Sequence, residues 1–254
     1  MFTSYHFIWL FICFAIIGIS LYCIFKNKID FTKILNISCV VCVLSEITKT
    51  FSAIKILPMS DGSGFVPYLE MNHLPLHLCS IEIIFIFYLK FSKKDNNFYH
   101  KLLAFMYPAC ILGATGALFI PTIFSTTISV KQAFTHPMAY QFFLYHTMLV
   151  VLGFSIYHFY KNELGIKNYF QTLLMAAIMF FISIYFNSIF SIPHYENGQL
   201  ISIDKSVNFF FSAKPPINIP LTNVWSWIAY LIIFMLIGAV LVLILYIPLI
   251  IKKK

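Results

Sequence analysis

Between His73 and Glu82 the chain carries two imidazoles, a thiol and a carboxylate, in the order Met71-Asn72-His73-Leu74-Pro75-Leu76-His77-Leu78-Cys79-Ser80-Ile81-Glu82, and it then runs apolar to Leu89. Polar groups that enter hydrocarbon cost on the order of kilocalories each, so such a cluster marks chemistry or an internal network. On a regular helix Cys79 and Glu82 share a face, as do His73 and His77, whereas His77 and Cys79 point apart. Pro75 suits the first turn of a helix because it has no amide hydrogen to lose. A helix that begins there sets Cys79 at its positive end, which favours a thiolate. A thiolate at the depth of an imidazole makes a Cys–His nucleophile pair, with amides near Pro75 or the Asn187 side chain as oxyanion donors. The bland alternatives stay open, since thiols in membrane helices pack as small core residues and histidines there bundle helices by hydrogen bonding.

The elements that must position these groups follow from composition. Of 254 residues, 60% are hydrophobic and only 10% charged, against roughly 25% charged in a soluble domain. With a mean hydropathy of +0.86, the chain reads as a polytopic membrane protein. All 17 basic residues are lysine, which removes the bidentate anion clamp that arginine provides. Together with abundant Phe, Ile, Asn and Tyr, this is the usage of an AT-rich bacterial genome. The lysines sit at the ends of apolar segments, so topology and lipid headgroups account for the net charge of +8 better than nucleic acid does. Cys13, Cys23, Cys39, Cys42, Cys79 and Cys110 all fall inside apolar segments, which argues against a disulfide framework. The N-terminus has no basic leader or small-x-small cleavage site, so its apolar run reads as a retained helix.

Seven segments reach the roughly 20 apolar residues that a span needs: 6–25, 34–57, 72–91, 101–120, 138–160, 168–190 and 223–250. Pro108, Gly113 and Gly116 predict a kink or close contact in the fourth. Lys26, Lys28 and Lys33, then Lys90, Lys93, Lys94 and Lys101, then Lys161 and Lys167, and finally Lys252, Lys253 and Lys254 occupy alternate loops. The loops between these hold Lys131, Lys205 and Lys214, while Lys49 and Lys55 belong to the second helix. The bias predicts an all-α bundle of seven transmembrane helices in one domain, N-terminus outside and C-terminus cytoplasmic. Trp9, Trp225 and Trp227 would then form an outer aromatic belt. The long loop 191–222 is expected outside, as a lid or a segment resting on headgroups.

With that topology, four segments bring polar groups into one outer-leaflet layer: Cys79 and Glu82, His146, Glu46 and Lys49, and Asn187. Glu46 and Lys49 share a face as an ion pair or a relay. Glu82 has no assigned counter-charge and is neutral, paired with Lys49, or bound to a histidine. His136, in Thr135-His136-Pro137, is an accessory group or merely interfacial. His73, His77, His146 and Glu82 supply nitrogen and oxygen ligands, but no sequence feature fixes a complete set, and no metal or cofactor is expected.

Three blocks of residues resemble a known family. Leu74-Pro75-Leu76-His77-Leu78-Cys79 is similar to the L-P-L-[HQ]-L-C signature of the YwaF-type bacterial integral-membrane proteins. His136-Pro137 through Gln141-Phe142-Phe143-Leu144-Tyr145-His146 resembles their second block. Asn208 and Lys214-Pro215, ahead of Trp225 and Trp227, resemble a looser third. Phe209 stands where Tyr is usual and Tyr145 where Gly is common, changes that would reshape the loop or the pocket entrance. The family includes the animal transmembrane protein 164, and the resemblance implies acyl transfer between phospholipids with Cys79 as nucleophile and His146 as its base. His77, Glu82, His73, Glu46, Lys49, Asn187, His136 and Asn208 are then the accessory or substrate-binding set. The expected partner is membrane phospholipid, with no nucleic acid or protein partner, in a bacterial cytoplasmic membrane. The alternative is a transporter or a binder of small solutes or protons that uses the Glu46, Lys49 and Glu82 layer.

Overall fold

The computed structural model describes residues 2–251 other than Pro75, Asn197, Ser206, Ile217 and Asn218, and omits the side chains of Asn72, Ser125, Thr126 and Lys205. Expectations that rest on Pro75 itself and on Lys252, Lys253 and Lys254 lie outside these residues. The helices are α1 (Ser4–Phe25), α2 (Phe31–Ala53), α3 (Leu78–Phe91), α4 (Asn97–Phe119), the single turn α5 (Ile123–Thr126), α6 (Pro137–Tyr160), α7 (Ile166–Ile189) and α8 (Val224–Ile251). Two antiparallel hairpins join them at one end: β1 (Lys55–Pro58) with β2 (Phe65–Tyr68), and β3 (Ser191–Glu196) with β4 (Gln199–Lys205).

Local chemistry starts these helices. The Thr3, Asp30 and Asn96 side chains accept amides of the first turns of α1, α2 and α4. Pro137 opens α6, whose cap is His136 Nδ1, accepting from the Met138 amide at 3.2 Å. Asn223 and Ser226 cap α8 reciprocally. No side chain caps α3, which begins after an extended His77.

Among the described residues, six helices are long and apolar enough to cross a membrane. The outer faces of α1 and α8 expose Phe7, Phe11, Phe14, Ile233, Leu236 and Val240, a surface no soluble monomer would present to water. The chain is a multi-pass membrane protein. The expected third span is corrected: α3 has 14 residues and starts at Leu78, not near residue 72. Leu74, which precedes a proline, is held extended (ψ 145°), and His77 is extended as well (ψ 151°). The chain is mostly helical, as expected, and the two hairpins add short strands that were not expected. Gly62 and Gly198 take positive φ (73° and 78°) in their turns. Asp61 accepts the Ser63 amide and hydroxyl, which hold its carboxyl below the usual carboxylate range. Trp9 is not a belt residue: it is buried, its indole N–H donates to the Ala133 carbonyl at 2.8 Å, and it stacks between Phe134 and Phe143.

The core sits where α4 packs on α6. They approach closely at Gly153, where an added Cβ would lie 2.7 Å from Ile111 Cγ1. α2 packs on α6 and α3, and α3 packs on α4, closing a four-helix ring; α1 leans on α6 from outside, and α7 and α8 lean on α4. Pro108 accounts for part of that outer attachment. Having no amide hydrogen, it leaves the Ala104 carbonyl without its helical donor. Thr172 of α7 and Tyr246 of α8 fill the place, donating to that carbonyl at 3.0 and 2.8 Å. Replacing both, Thr172→Val with Tyr246→Phe, is expected to cost about 1–3 kcal/mol by stranding a buried acceptor. Thermal unfolding in detergent would show this as a lowered midpoint, with either single change much milder; an unchanged double variant would refute the staple.

Candidate functional site

Cys79 is the second residue of α3 and points toward α4, where Gly113 makes room; a Cβ on Gly113 would stand 3.6 Å from the Cys79 sulfur and 3.3 Å from Leu78 Cδ2. The Ser80 and Ile81 amides both donate to the His77 carbonyl at 2.9 Å. Among the described residues, the Leu78 and Cys79 amides donate to no backbone carbonyl, as is usual for the opening turn of a helix. The Cys79 amide lies against its own sulfur. Amides that open a helix beside a thiol are the kind of donor an oxyanion requires.

One turn further on, Glu82 is 1% exposed. No donor meets either carboxyl oxygen in hydrogen-bond geometry among the described residues, although the Cys110 thiol lies close enough to interact. Its electrostatic neighbours are Cys42 of α2, Cys79 of α3, Cys110 of α4 and Tyr145 of α6, one from each helix of the ring. The Tyr145 hydroxyl donates to the Cys79 carbonyl at 2.5 Å, joining α6 to α3 across the ring.

His146 follows Tyr145 and is buried. Its Nδ1 stands 2.6 Å from the Phe142 carbonyl. A carbonyl only accepts, so the neutral ring carries its proton on Nδ1 and keeps its lone pair on Nε2. Among the described residues no hydrogen bond joins the imidazole to the Cys79 thiol; the α6 side chain bonded to Cys79 is Tyr145.

The other expected residues divide. Glu46 and Lys49 are an ion pair within α2 at 2.7 Å, and Glu46 acts electrostatically on Cys42. His73 closes a short 3-10 turn, Met71–His73, within the electrostatic reach of Glu70, Lys49 and Lys55, so it does not share a helix face with His77. His77 stacks edge-on against Phe209, with centroids 4.9 Å apart. His136 serves as the cap of α6.

Asn187 and Asn208 stitch a loop. Asn187 Nδ2 donates to the Phe209 carbonyl and the Ser212 hydroxyl, and its Oδ1 accepts the Phe209 amide at 2.8 Å. Both amide hydrogens are thus engaged, so the side chain is an anchor, not an oxyanion donor. Asn208 Oδ1 accepts the amides of Ala213 and Lys214, and its Nδ2 donates to the Lys214 carbonyl. The 3-10 turn Phe209–Phe211 holds Phe210 and Phe211 at φ 54° and 55°, a region bulky residues avoid. Hydrogen bonds from Trp227 to the Ser212 carbonyl and from Tyr230 to the Phe211 carbonyl hold it there. Asn187→Ala is expected to lose about 1–3 kcal/mol, chiefly the cost of stranding the buried Phe209 amide, and to free the loop. Faster protease cleavage between residues 205 and 222, with a lowered unfolding midpoint, would confirm this; unaltered cleavage would count against it.

Tyr145, Cys110 and Cys42 were not marked by the sequence as site residues. The one available signal was Tyr145 in the place where Gly is common.

The model of the TMEM164 family matches residues 1–246. No curated protein and no solved structure matches the chain.

Proposed function

The chain belongs to the TMEM164 family, and from that membership we propose that it is a membrane lipid acyltransferase of the bacterial YwaF-type branch, with Cys79 as nucleophile and His146 as base. The supporting observation is the setting of Cys79: a partly exposed residue on the opening turn of a helix, whose amide and that of Leu78 donate to no backbone carbonyl among the described residues, within a four-helix ring. His146 Nε2 takes the thiol proton once substrate brings imidazole and sulfur together, a contact that commonly tightens only in the bound complex. The sulfur attacks the ester carbonyl carbon of a phospholipid, an S–C bond forms, and the lysolipid alcohol leaves. A second lipid hydroxyl then takes the acyl group from the thioester; water in that step would make the protein a hydrolase. A cavity of about 180 Å³ beside α3, lined by Leu76, Ile81, Phe85, Met179, Ile182 and Phe209, suits an acyl chain. In this proposal α3 and the segment before it complete a seventh crossing, and the hairpin end faces away from the cytoplasm, as the lysine bias expects.

The test is intact-protein mass spectrometry of the full chain held in labelled phospholipid nanodiscs. An acyl adduct mapped to Cys79 and released by hydroxylamine is expected. Acyl exchange that persists without Cys79 would end the covalent mechanism. A second reading, proton or solute binding, has one observation in its favour: Glu46, Cys42 and Glu82 form an electrostatic series from α2 into the ring. On that reading Glu46→Gln changes uptake into vesicles while Cys79→Ala does not.

A further inference from the structure

Glu82 has a role open beyond that of orienting a histidine. Its carboxyl is buried, and among the described residues no donor meets either oxygen in hydrogen-bond geometry, the Cys110 thiol lying close enough only to interact weakly. Such a group is costly in hydrocarbon and is retained when something brought to it completes its bonding. Among the described residues, the titratable groups that face it are Cys42 from α2, Cys79 from α3, Cys110 from α4 and Tyr145 from α6, and no cation is among them. Lys49 of α2 is taken by Glu46 at 2.7 Å. Without a counter-charge the side chain rests as a carboxylic acid, able to donate through one oxygen and accept through the other. It lies on the face of α3 that carries Cys79, one turn deeper, where side chains are about 5–6 Å apart at Cβ, so an ester carbonyl attacked by the sulfur comes within reach of the carboxyl.

We propose that Glu82 is the general acid–base for the lipid alcohol: it gives its proton to the departing lysolipid oxygen and later takes the proton of the acceptor hydroxyl. The inference rests on the acyl-transfer function. In acylation the thiol proton passes to His146 Nε2, the S–C bond forms, the ester C–O bond breaks, and the alcohol oxygen leaves with the Glu82 proton. An imidazolium and a carboxylate remain beside the thioester. In the second half-reaction the acceptor hydroxyl loses its proton to Glu82, its oxygen bonds to the acyl carbon, and the sulfur leaves and regains its proton from His146. The two halves are mirror images, as exchange between like alcohols requires, and no net charge enters the ring.

An acid is needed only when the leaving group is poor. The experiment therefore compares two donors on the full chain in nanodiscs: a mixture of phosphatidylethanolamine, phosphatidylcholine and phosphatidylglycerol labelled in both acyl chains, and p-nitrophenyl decanoate, whose phenolate leaves without a proton. Glu82→Gln is expected to slow thioester formation from phospholipid by about 10²-fold or more and to keep the p-nitrophenolate burst within about threefold of the parent, with Glu82→Asp recovering part of the phospholipid rate. His146→Ala should lose both reactions. Equal loss from both donors in Glu82→Gln would show a structural role and overturn the assignment, as would an unchanged phospholipid rate. A parent protein that forms a thioester with neither donor would instead remove the acyl-transfer function, and this inference with it.

Discussion

Cys79→Ala is expected to reduce acyl transfer from phospholipid by on the order of 10³-fold or more, about 4 kcal/mol in the barrier. Cys79→Ser should be nearly as inactive, because a hydroxyl is far harder to deprotonate than a thiol. Neither change should unfold the chain. The sulfur faces Gly113, Cys79 is only partly buried, and alanine removes a single heavy atom there. The competing explanation, that the thiol merely packs, predicts the reverse pattern: a lowered unfolding midpoint with transfer intact. Measuring transfer and melting on the same preparation separates the two, and parental transfer by both variants would discard Cys79 as nucleophile.

Gly153→Val is expected to have the largest effect on stability, about 3 kcal/mol. Even the first added carbon would stand 2.7 Å from Ile111 Cγ1, 3.1 Å from the Tyr107 carbonyl oxygen and 3.2 Å from Cys110 Cβ. The isoleucine can rotate, but the backbone oxygen cannot, so α4 and α6 must separate. Helix propensity would gain only about 0.5–1 kcal/mol from losing a glycine, and overpacking of this kind costs about 1–3 kcal/mol or more. Transfer should fall as well, because the displaced turn of α4 carries Cys110, the thiol beside Glu82. Gly116→Ala is the control: its added carbon meets nothing within 4 Å, so it should be neutral or slightly stabilising. A Gly153→Val protein that melts with the parent would show that the helices do not meet there.

The membrane helices were legible because length and apolarity alone define them, and six of the expected spans return within a few residues of their limits. α3 was not, since the leucines of Leu74-Pro75-Leu76 read as a continuous apolar run while the backbone is extended at Leu74 and at His77. The hairpins were missed although Asn197-Gly198 and Asp61-Gly62 are turn dipeptides; both sit in segments otherwise read as loop or helix end. The pairing of Cys79 with Glu82 on one face followed from spacing. That Cys42, Cys110 and Tyr145 converge on the same point did not, because helices apolar on every side carry no pattern that fixes their rotation. Trp9 shows the same blindness, as an indole near a helix end reads as interfacial until its stacked partners are known.

The late start of α3 has one more consequence. Its 14 residues rise about 21 Å, so the backbone at Leu76 and His77 runs unwound below the hairpins. Lipid tolerates bare peptide groups at such depth only while protein shelters them, and Phe209, seated on the His77 ring, is part of that shelter. On the proposed acyl-transfer mechanism, seating of the phenylalanine turn therefore governs how dry the cavity beside α3 stays. Dryness would in turn decide the fate of the proposed thioester: kept from water, it survives until another lipid arrives; wetted, it is spent.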